Sequence, residues 1–416
     1  MLNVALAGFG TVGSSVAKIL TEHPVPGLRL THIFNRNVAR KKSASLPGDI
    51  RWTENIQDVL SSDADILIEL IGGLSPAGDW IRSALKAGKS VVTANKQLMA
   101  HHGPELLELA RSCNRHLAFG ASVAGGVPVI SGLQEGLGGD DLFKIYGILN
   151  GTCNYILSQI DAKGVTFAAA LEQAQRLGFA EADPTDDVDG FDARAKLVIL
   201  ARVGLRSSAP PANVVCRSIR PIDSIDFAYA RQLGCTIRQI SWAERMGDEL
   251  FAAVQPALVP TSSPLASVEG GQNLVLSTGK FGGETVFAGH GAGGNPTAVA
   301  VVSDLITIAR AKHWGSNGLA EAVAVSRKVT SIYTARHYLR FTVHDKPGII
   351  AAIASILSDC GINIDSVLQK PGYPASSLPF VITLESCSSS LVEKALEQLA
   401  KLDFLVQPCL HLPILA

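Results

Sequence analysis

Six carboxylates, Glu181, Asp183, Asp186, Asp187, Asp189 and Asp192, stand within twelve residues just ahead of Arg194 and Lys196. The rest of the chain is largely apolar, so this run is a chemical anomaly. Pro184 and Gly190 break the backbone and predict a loop through the acids. Helical spacing begins near Asp189 and makes Asp192 and Lys196 i,i+4 neighbours on one face. Such a loop can hold an ammonium group, and a lysine paired to a carboxylate can serve as a proton donor whose pKa its neighbours tune. A solvated loop ending in a surface ion pair has the same composition. A calcium loop does not fit, because Lys196 falls where a bidentate Glu is required.

A second chemical string lies at the start. Gly8-Phe9-Gly10-Thr11-Val12-Gly13 follows a strand-like run, Leu2 to Ala7, and opens a helix whose buried face is Val12, Val16, Ile19 and Leu20. Gly8 permits a tight turn, Gly10 lets the backbone approach a pyrophosphate, and Gly13 allows close helix–strand packing. The helix N-terminus then faces the phosphates of a dinucleotide. The acid that would hold a ribose 2′-hydroxyl at the end of the second strand is missing. Asn35 and Arg36 stand there, followed by Arg40, Lys41 and Lys42. Arg36 suits a 2′-phosphate, which favours NADP while leaving NAD open. Thr93-Ala94-Asn95-Lys96 follows a later strand, Ser90–Thr93, where open α/β sheets place ligands. A surface lysine has the same local sequence. Asn150-Gly151-Thr152-Cys153-Asn154 reads as a strand-to-helix turn fit either to bind a small polar ligand or to cap a helix through Thr152 or Asn154. Cys153 has no base near it in sequence and reads as a packed small residue.

The elements that position these groups follow from periodicity. Over the first ~130 residues short apolar strands alternate with helical segments, among them Leu28–Phe34, Ala64–Ile71 and a helix opened by Pro76 and closed by Gly88, which is the pattern of a parallel sheet wound on both faces. From about Val127 to Val286 an α+β pattern takes over, with strands at Ile145–Leu149 and Phe251–Leu258. Gly289–Thr297 is Gly-rich and leads into a helix, Ala298–Arg310, expected to return to the first domain. The last ~80 residues read βαββαβ: alternating Leu339, Phe341 and Val343; a helix lined by Ile349, Ile350, Ile353, Ile356 and Leu357; strands at Ile362–Leu368 and Phe380–Leu384; a second helix; and a final strand near Phe404–Leu410. That order is ferredoxin-like.

Composition bounds the rest. The 416 residues carry a net charge of −1 with only 18% charged side chains, which argues against nucleic acid or an acidic membrane as a partner. No run reaches the roughly 18 apolar residues needed to span a bilayer. Seven scattered cysteines without CxxC pairs suit a reducing compartment, and no secretory leader is expected before the first strand, so the cytoplasm is the expected location.

Taken together the strings resemble homoserine dehydrogenases. The acidic segment is similar to that family's Gly-aromatic-x-Glu-x-Asp-Pro signature running to a Lys, with Phe179 where many relatives have Tyr. Asn95-Lys96 resembles the family's Asn-Lys pair, and Asn150-Gly151-Thr152-Cys153-Asn154-Tyr155-Ile156 its Asn-Gly-Thr-x-Asn-Tyr-Ile. Gly120-Ala121-Ser122-Val123-Ala124-Gly125-Gly126-Val127-Pro128 looks like its interdomain hinge. His290 to Ala298 looks like its return segment. Asp345-Lys346-Pro347-Gly348 with Gly361-Ile362-Asn363-Ile364 is similar to an ACT domain. A monofunctional enzyme without an aspartate kinase is expected.

The resemblance implies an α/β fold: a Rossmann-type domain over 1–128, with 296–320 returning to it, an α+β catalytic and dimerisation domain over 129–295, and an ACT domain over 337–416. It implies reversible NAD(P)H-dependent reduction of L-aspartate 4-semialdehyde to L-homoserine, on the route to threonine and methionine. Lys196 is the expected acid and base, with Asp192 holding it and Lys96 assisting. Glu181, Asp183 and Asp187 are expected to receive the substrate ammonium, with Asn150, Gly151 and Thr152 beside it. Residues 8–13, Arg36, Thr93 and Lys96 are the expected cofactor contacts. The backbone carbonyls of Gly120, Val123, Gly125 and Val127 are the implied ligands of a monovalent cation such as sodium, although the family commonly has Glu where Gly120 stands. An amino-acid effector, threonine, and a homodimer or homotetramer are expected. A different NADP-dependent oxidoreductase of a small amino or oxo acid, or a non-catalytic amino-acid sensor, are the alternatives. Retention of both Lys96 and Lys196 favours the enzyme.

Overall fold

The computed structural model describes residues 1–42, 46–314 and 324–415. Residues 315–320 of the expected return segment lie outside the described residues. The chain divides into two compact units, one of Met1–Leu149, Ala193–Asn213 and Gly271–Arg327, the other of Asn150–Asp192, Val214–Gly270 and Lys328–Ala416.

The first unit is built on a parallel sheet of β1 (Leu2–Ala7), β2 (Leu28–Phe34), β3 (Arg51–Thr53), β4 (Ile66–Glu69), β5 (Ser90–Thr93) and β6 (Leu117–Ala118), in the order β3-β2-β1-β4-β5-β6. The order reverses at β1, which places a crevice between the carboxyl ends of β1 and β4. Strands β1, β4 and β5 are near-continuous apolar runs because a parallel sheet is covered on both faces. Helix α1 (Thr11–Glu22) and the later helix Gly294–Trp314 share one core with that sheet, in which Val16 and Leu20 meet Ala298, Val301 and Leu305. The unit also holds three antiparallel strands, Leu142–Ile148, Gln272–Gly279 and Gly283–His290.

In the second unit a long hairpin, Cys235–Met246 with Glu249–Pro260, carries the helices Gly151–Lys163, Phe167–Arg176 and Ser224–Gln232 on a common core. The C-terminal elements follow the expected βαββαβ order: Thr334–Val343, Ile349–Asp359, Ile364–Gln369, Leu378–Ser388, Ser389–Leu399 and Leu410–Ile414. The strand Thr334–Val343 is central, paired on one side with Leu378–Ser388 and on the other with Leu410–Ile414. Both its faces are buried. Leu339, Phe341 and Val343 enter the core of the C-terminal elements, while Tyr338 enters the core beneath the hairpin.

Three local expectations need correction. The acidic run is not loop throughout: Thr185–Val188 forms one helical turn, whose last amide bonds Pro184 O at 2.9 Å. Proline pre-sets the backbone for that turn, and Asp186 and Asp187 suit its N-terminal end. Ile350 is 40% exposed, because Ile349, Ile353 and Leu357 already complete the buried stripe and Ile350 falls beside it. The final strand is Leu410–Ile414 rather than Phe404–Leu410, since Pro408 has no amide to donate to a ladder. Among the described residues no helix is long and apolar enough to cross a membrane.

Candidate functional site

The Gly8–Gly13 turn has the geometry a dinucleotide requires. Gly8 adopts φ +105°, and a Cβ there would lie 2.8 Å from Leu70 O. A Cβ on Gly13 would lie 2.0 Å from Gly8 O, whereas one on Gly10 would meet open space. Only backbone therefore fills the turn, and space is left in front of Gly10. No side chain caps α1, so its first amides are not satisfied by a cap and suit an anion. Phe9 packs edge-on against Trp52 at 4.9 Å, Thr11 is exposed, and Val12 is half-buried. The Phe9 amide donates to Asn35 Oδ1 at 3.3 Å, so Asn35 braces the turn, and Arg36 beyond it is exposed.

Lys96 is the first residue of the helix Lys96–Ser112 at the carboxyl end of β5. Asn95 caps that helix by accepting from the Leu98 amide at 3.0 Å, and it donates to Gly73 O at 2.6 Å. The Thr93 side chain is fully buried. Its hydroxyl donates to Glu69 Oε2 at 2.6 Å and accepts from the Asn95 amide at 3.0 Å, so any contact it makes with a cofactor falls to its backbone. Glu69 was not among the sequence-derived candidates. Its one signal is a carboxylate inside the apolar run Ala64–Ile71.

In the hinge, Gly120–Ser122 forms a 3-10 turn, and the Gly120 amide donates to Asp304 Oδ2 at 2.9 Å. A Cβ at Gly120 would stand 2.7 Å from the Asp304 carboxylate, so that carboxylate occupies the space a larger residue would need. Burial pushes the Asp304 carboxyl up to about 7, against the pull of the Gly120 and Ala121 amides. The Val127 carbonyl already accepts the Val129 amide at 2.7 Å and keeps one lone pair. Carbonyl oxygens are hard donors and fit a monovalent cation by their chemistry. Among the described residues no cluster of His, Cys, Asp or Glu is placed to hold a metal.

The acidic segment is organised by Asn150. Its Oδ1 accepts from the Cys153 amide at 2.8 Å, so Asn150 rather than Thr152 or Asn154 caps the helix that Gly151 begins. Its Nδ2 donates to Asp187 Oδ1 at 2.6 Å and to Asp192 Oδ2 at 3.0 Å. Thr152 donates to Phe179 O at 2.6 Å, and Tyr155 stacks on Phe179 at 4.5 Å, which fixes the start of the segment. Gln175 donates to the Glu181 carbonyl at 3.1 Å. Glu181 and Asp183 are exposed, Asp187 is half-buried and Asp192 is buried. Hydrogen bonds from the Thr185 hydroxyl and amide hold the Asp183 carboxyl below its usual range. Asp189 is engaged by Ser218 and Arg220. Cys153 is buried and donates to Asp187 O, and burial first, then Asp187 and Asp192, push its thiol well up. That thiol is no nucleophile. Asp192 and Lys196 lie one turn apart on the helix Phe191–Gly204, and Lys196 Nζ donates to Leu149 O at 2.8 Å.

A cavity of about 300 Å³ in the second unit is lined by Asp345, Lys346, Gly348, Gln369 and Phe380 among others. Asn363 is not on its wall and donates instead to Glu385.

Comparison with known proteins agrees along the whole length. Family models described as the homoserine dehydrogenase NAD-binding domain, homoserine dehydrogenase and the ACT domain match residues 8–120, 128–306 and 337–404 in turn. The chain is 37% identical to the homoserine dehydrogenase of Bacillus subtilis over 89% of its own length and 88% of that protein's. It is 38% identical to that of Mycobacterium leprae over 97% and 95%. A homoserine dehydrogenase structure from Thiobacillus denitrificans superposes with a TM-score of 0.93 at 32% identity, covering 100% of this chain and 98% of that one. A hyperthermophilic archaeal homoserine dehydrogenase in complex with NADPH gives 0.64 at 29% identity, over 74% of this chain and 97% of that one. The chain belongs to the homoserine dehydrogenase family and is an NAD(P)-dependent oxidoreductase acting on a CH–OH group.

Proposed function

We propose that Lys196 is the acid and base of this homoserine dehydrogenase and that the acidic segment receives the substrate's ammonium group. The observation that carries this reading is the double hydrogen bond from Asn150 to Asp187 and Asp192, which ties the acidic segment to the helix bearing Lys196. When bound, the nicotinamide supplies the hydride to the aldehyde carbon. Lys196 Nζ delivers a proton to the aldehyde oxygen as negative charge develops there, and the reverse reaction returns it. Asp192 holds the lysine in place, and Lys96 adds a second positive charge toward the same oxygen. Glu181, with Asp183 and Asp187 behind it, holds the ammonium, while Asn150, Gly151 and Thr152 shape the polar floor.

Arg36 selects NADP through the 2′-phosphate, with Gly8 to Gly13 cradling the pyrophosphate and Thr93 and Lys96 at the nicotinamide end. The carbonyls of Gly120, Val123, Gly125 and Val127 hold a monovalent cation that stiffens the hinge. Residues 1–128 with the return helix bind cofactor, 129–295 bind substrate and dimerise, and 337–416 sense threonine at the 300 Å³ cavity. The assembly is a homodimer or homotetramer.

The test is a spectrophotometric assay of L-aspartate 4-semialdehyde with NADPH and with NADH. A higher kcat/KM for NADPH, lowered by Glu181→Gln through KM for the semialdehyde, supports the reading. An unchanged KM in that variant removes Glu181 from substrate binding.

A further inference from the structure

Glu69 is a fully buried carboxylate at the carboxyl end of β4, beside the point where the strand order reverses. Among the described residues no lysine or arginine forms an ion pair with it. Three donors surround it instead: the Ile71 amide at 2.7 Å and the Gly72 amide at 2.9 Å on Oε1, and the Thr93 hydroxyl at 2.6 Å on Oε2. One side chain thus holds the turn after β4 and the end of β5 together. From Thr93 the chain of bonds runs to the Asn95 amide, and Asn95 returns to the same turn through Gly73 O. Lys96 follows directly as the first residue of the helix that Asn95 caps. On the other flank Leu70 O sits where a Cβ on Gly8 would clash, so the same turn also braces the phosphate loop.

A buried carboxyl group is costly unless hydrogen bonds satisfy it, and these three do so by closing a ring of backbone. Burying a carboxylate merely to end a strand is a poor structural solution. An apolar residue would cap β4 at no desolvation cost. The ring has a product, the fixed position of Lys96. We propose that Glu69 is a positioning residue, which sets Lys96 and the turn 70–73 for hydride transfer through Thr93 and Asn95. This inference rests on the reading of Lys96 as an electrostatic assistant.

The experiment is a double-mutant comparison of Glu69→Gln, Thr93→Val and Thr93→Ser, each alone and with Lys96→Ala. Glu69→Gln puts a donor among donors, and it should lower kcat by about ten- to a hundredfold, the usual cost of a misplaced group. Thr93→Val should match it, and Thr93→Ser, which keeps the hydroxyl, should restore activity. In the Lys96→Ala background Glu69→Gln should cost almost nothing more in kcat, because residues acting as a unit are not additive. In the cofactor-free protein, amide exchange over 70–76 and 93–98 should quicken in Glu69→Gln. Multiplied losses in the double variant, or unchanged exchange, would overturn the proposal while leaving Lys96 in place. A Lys96→Ala enzyme with normal kcat would overturn the reading of Lys96 and this proposal with it. Should Glu69→Gln fail to fold, the Thr93 pair carries the same comparison.

Discussion

Lys196 Nζ donates to the main-chain oxygen of Leu149 at 2.8 Å, and the next residue, Asn150, bonds both Asp187 and Asp192. The residue that follows the carbonyl gathers two carboxylates of the acidic segment. Two adjacent residues at a strand-to-helix turn therefore engage Lys196 and two of the acids.

On the proposed reading, cofactor choice follows from Arg36, exposed beyond the Asn35 that braces the phosphate loop. Arg36→Asp should raise KM for NADPH at least about tenfold, the size of a lost charge-assisted contact, and leave KM for NADH little changed. Equal losses for both would count against a 2′-phosphate contact.

The second unit holds a buried ion pair. Arg340 is 8% exposed and Asp226 fully buried, with 2.7 Å between them. Tyr338 and the Asp223 amide complete the carboxylate, and Arg340 also donates to Pro221 O. Arg340→Ala should cost about 3–5 kcal/mol in denaturant unfolding, because it strands a buried charge. The pair Lys346–Asp403 is 47% and 80% exposed, and Lys346→Ala should cost no more than about 1 kcal/mol. Similar losses from the two variants would refute the distinction.

That network also decides how regulation must be tested. Truncation beyond about Arg336 would orphan Asp226 and strip Tyr338, Val381, Leu412 and Ile414 from a shared core, so it would remove more than a sensor. Point changes in the cavity are the cleaner probe. Threonine at millimolar concentration should shift substrate affinity by roughly 5–150-fold, and Gln369→Ala should blunt the shift without lowering kcat. An enzyme indifferent to threonine would make the cavity structural.

Asp304 gives a pH signature. Its carboxyl is raised from 3.8 to about 7, chiefly by burial, so the folded state binds its proton more tightly than the unfolded chain does. The stability it contributes is whole below about pH 4 and is lost as pH rises to about 7. The wild type should therefore lose on the order of 4 kcal/mol across that window relative to Asp304→Asn, measured by urea unfolding at each pH. Parallel curves for the two proteins would show that Asp304 titrates normally.

How legible a residue was depended on how local its partners are. The turn Gly8–Gly13 and the βαββαβ order are written in short-range spacing, and the structure follows them, whereas the cap falls to Asn150 rather than to the expected Thr152 or Asn154. Family membership removes the non-catalytic sensor, which spacing left open. Asp304 lies 184 residues from Gly120, and nothing near either residue announces the other. Glu69 carried a signal, an acid inside a buried strand, but its partners come from the following turn and from the next strand. The helical turn at Thr185–Val188 was hidden by the very proline that starts it.

The most direct measurement is turnover of Lys196→Ala with saturating L-aspartate 4-semialdehyde and NADPH, alongside NADPH affinity from fluorescence titration. The account predicts a fall in kcat of about 10²–10⁴-fold, the cost of a lost general acid, with NADPH affinity unchanged. A kcat within about threefold of wild type would contradict it, since no rate-limiting proton transfer could then depend on that lysine.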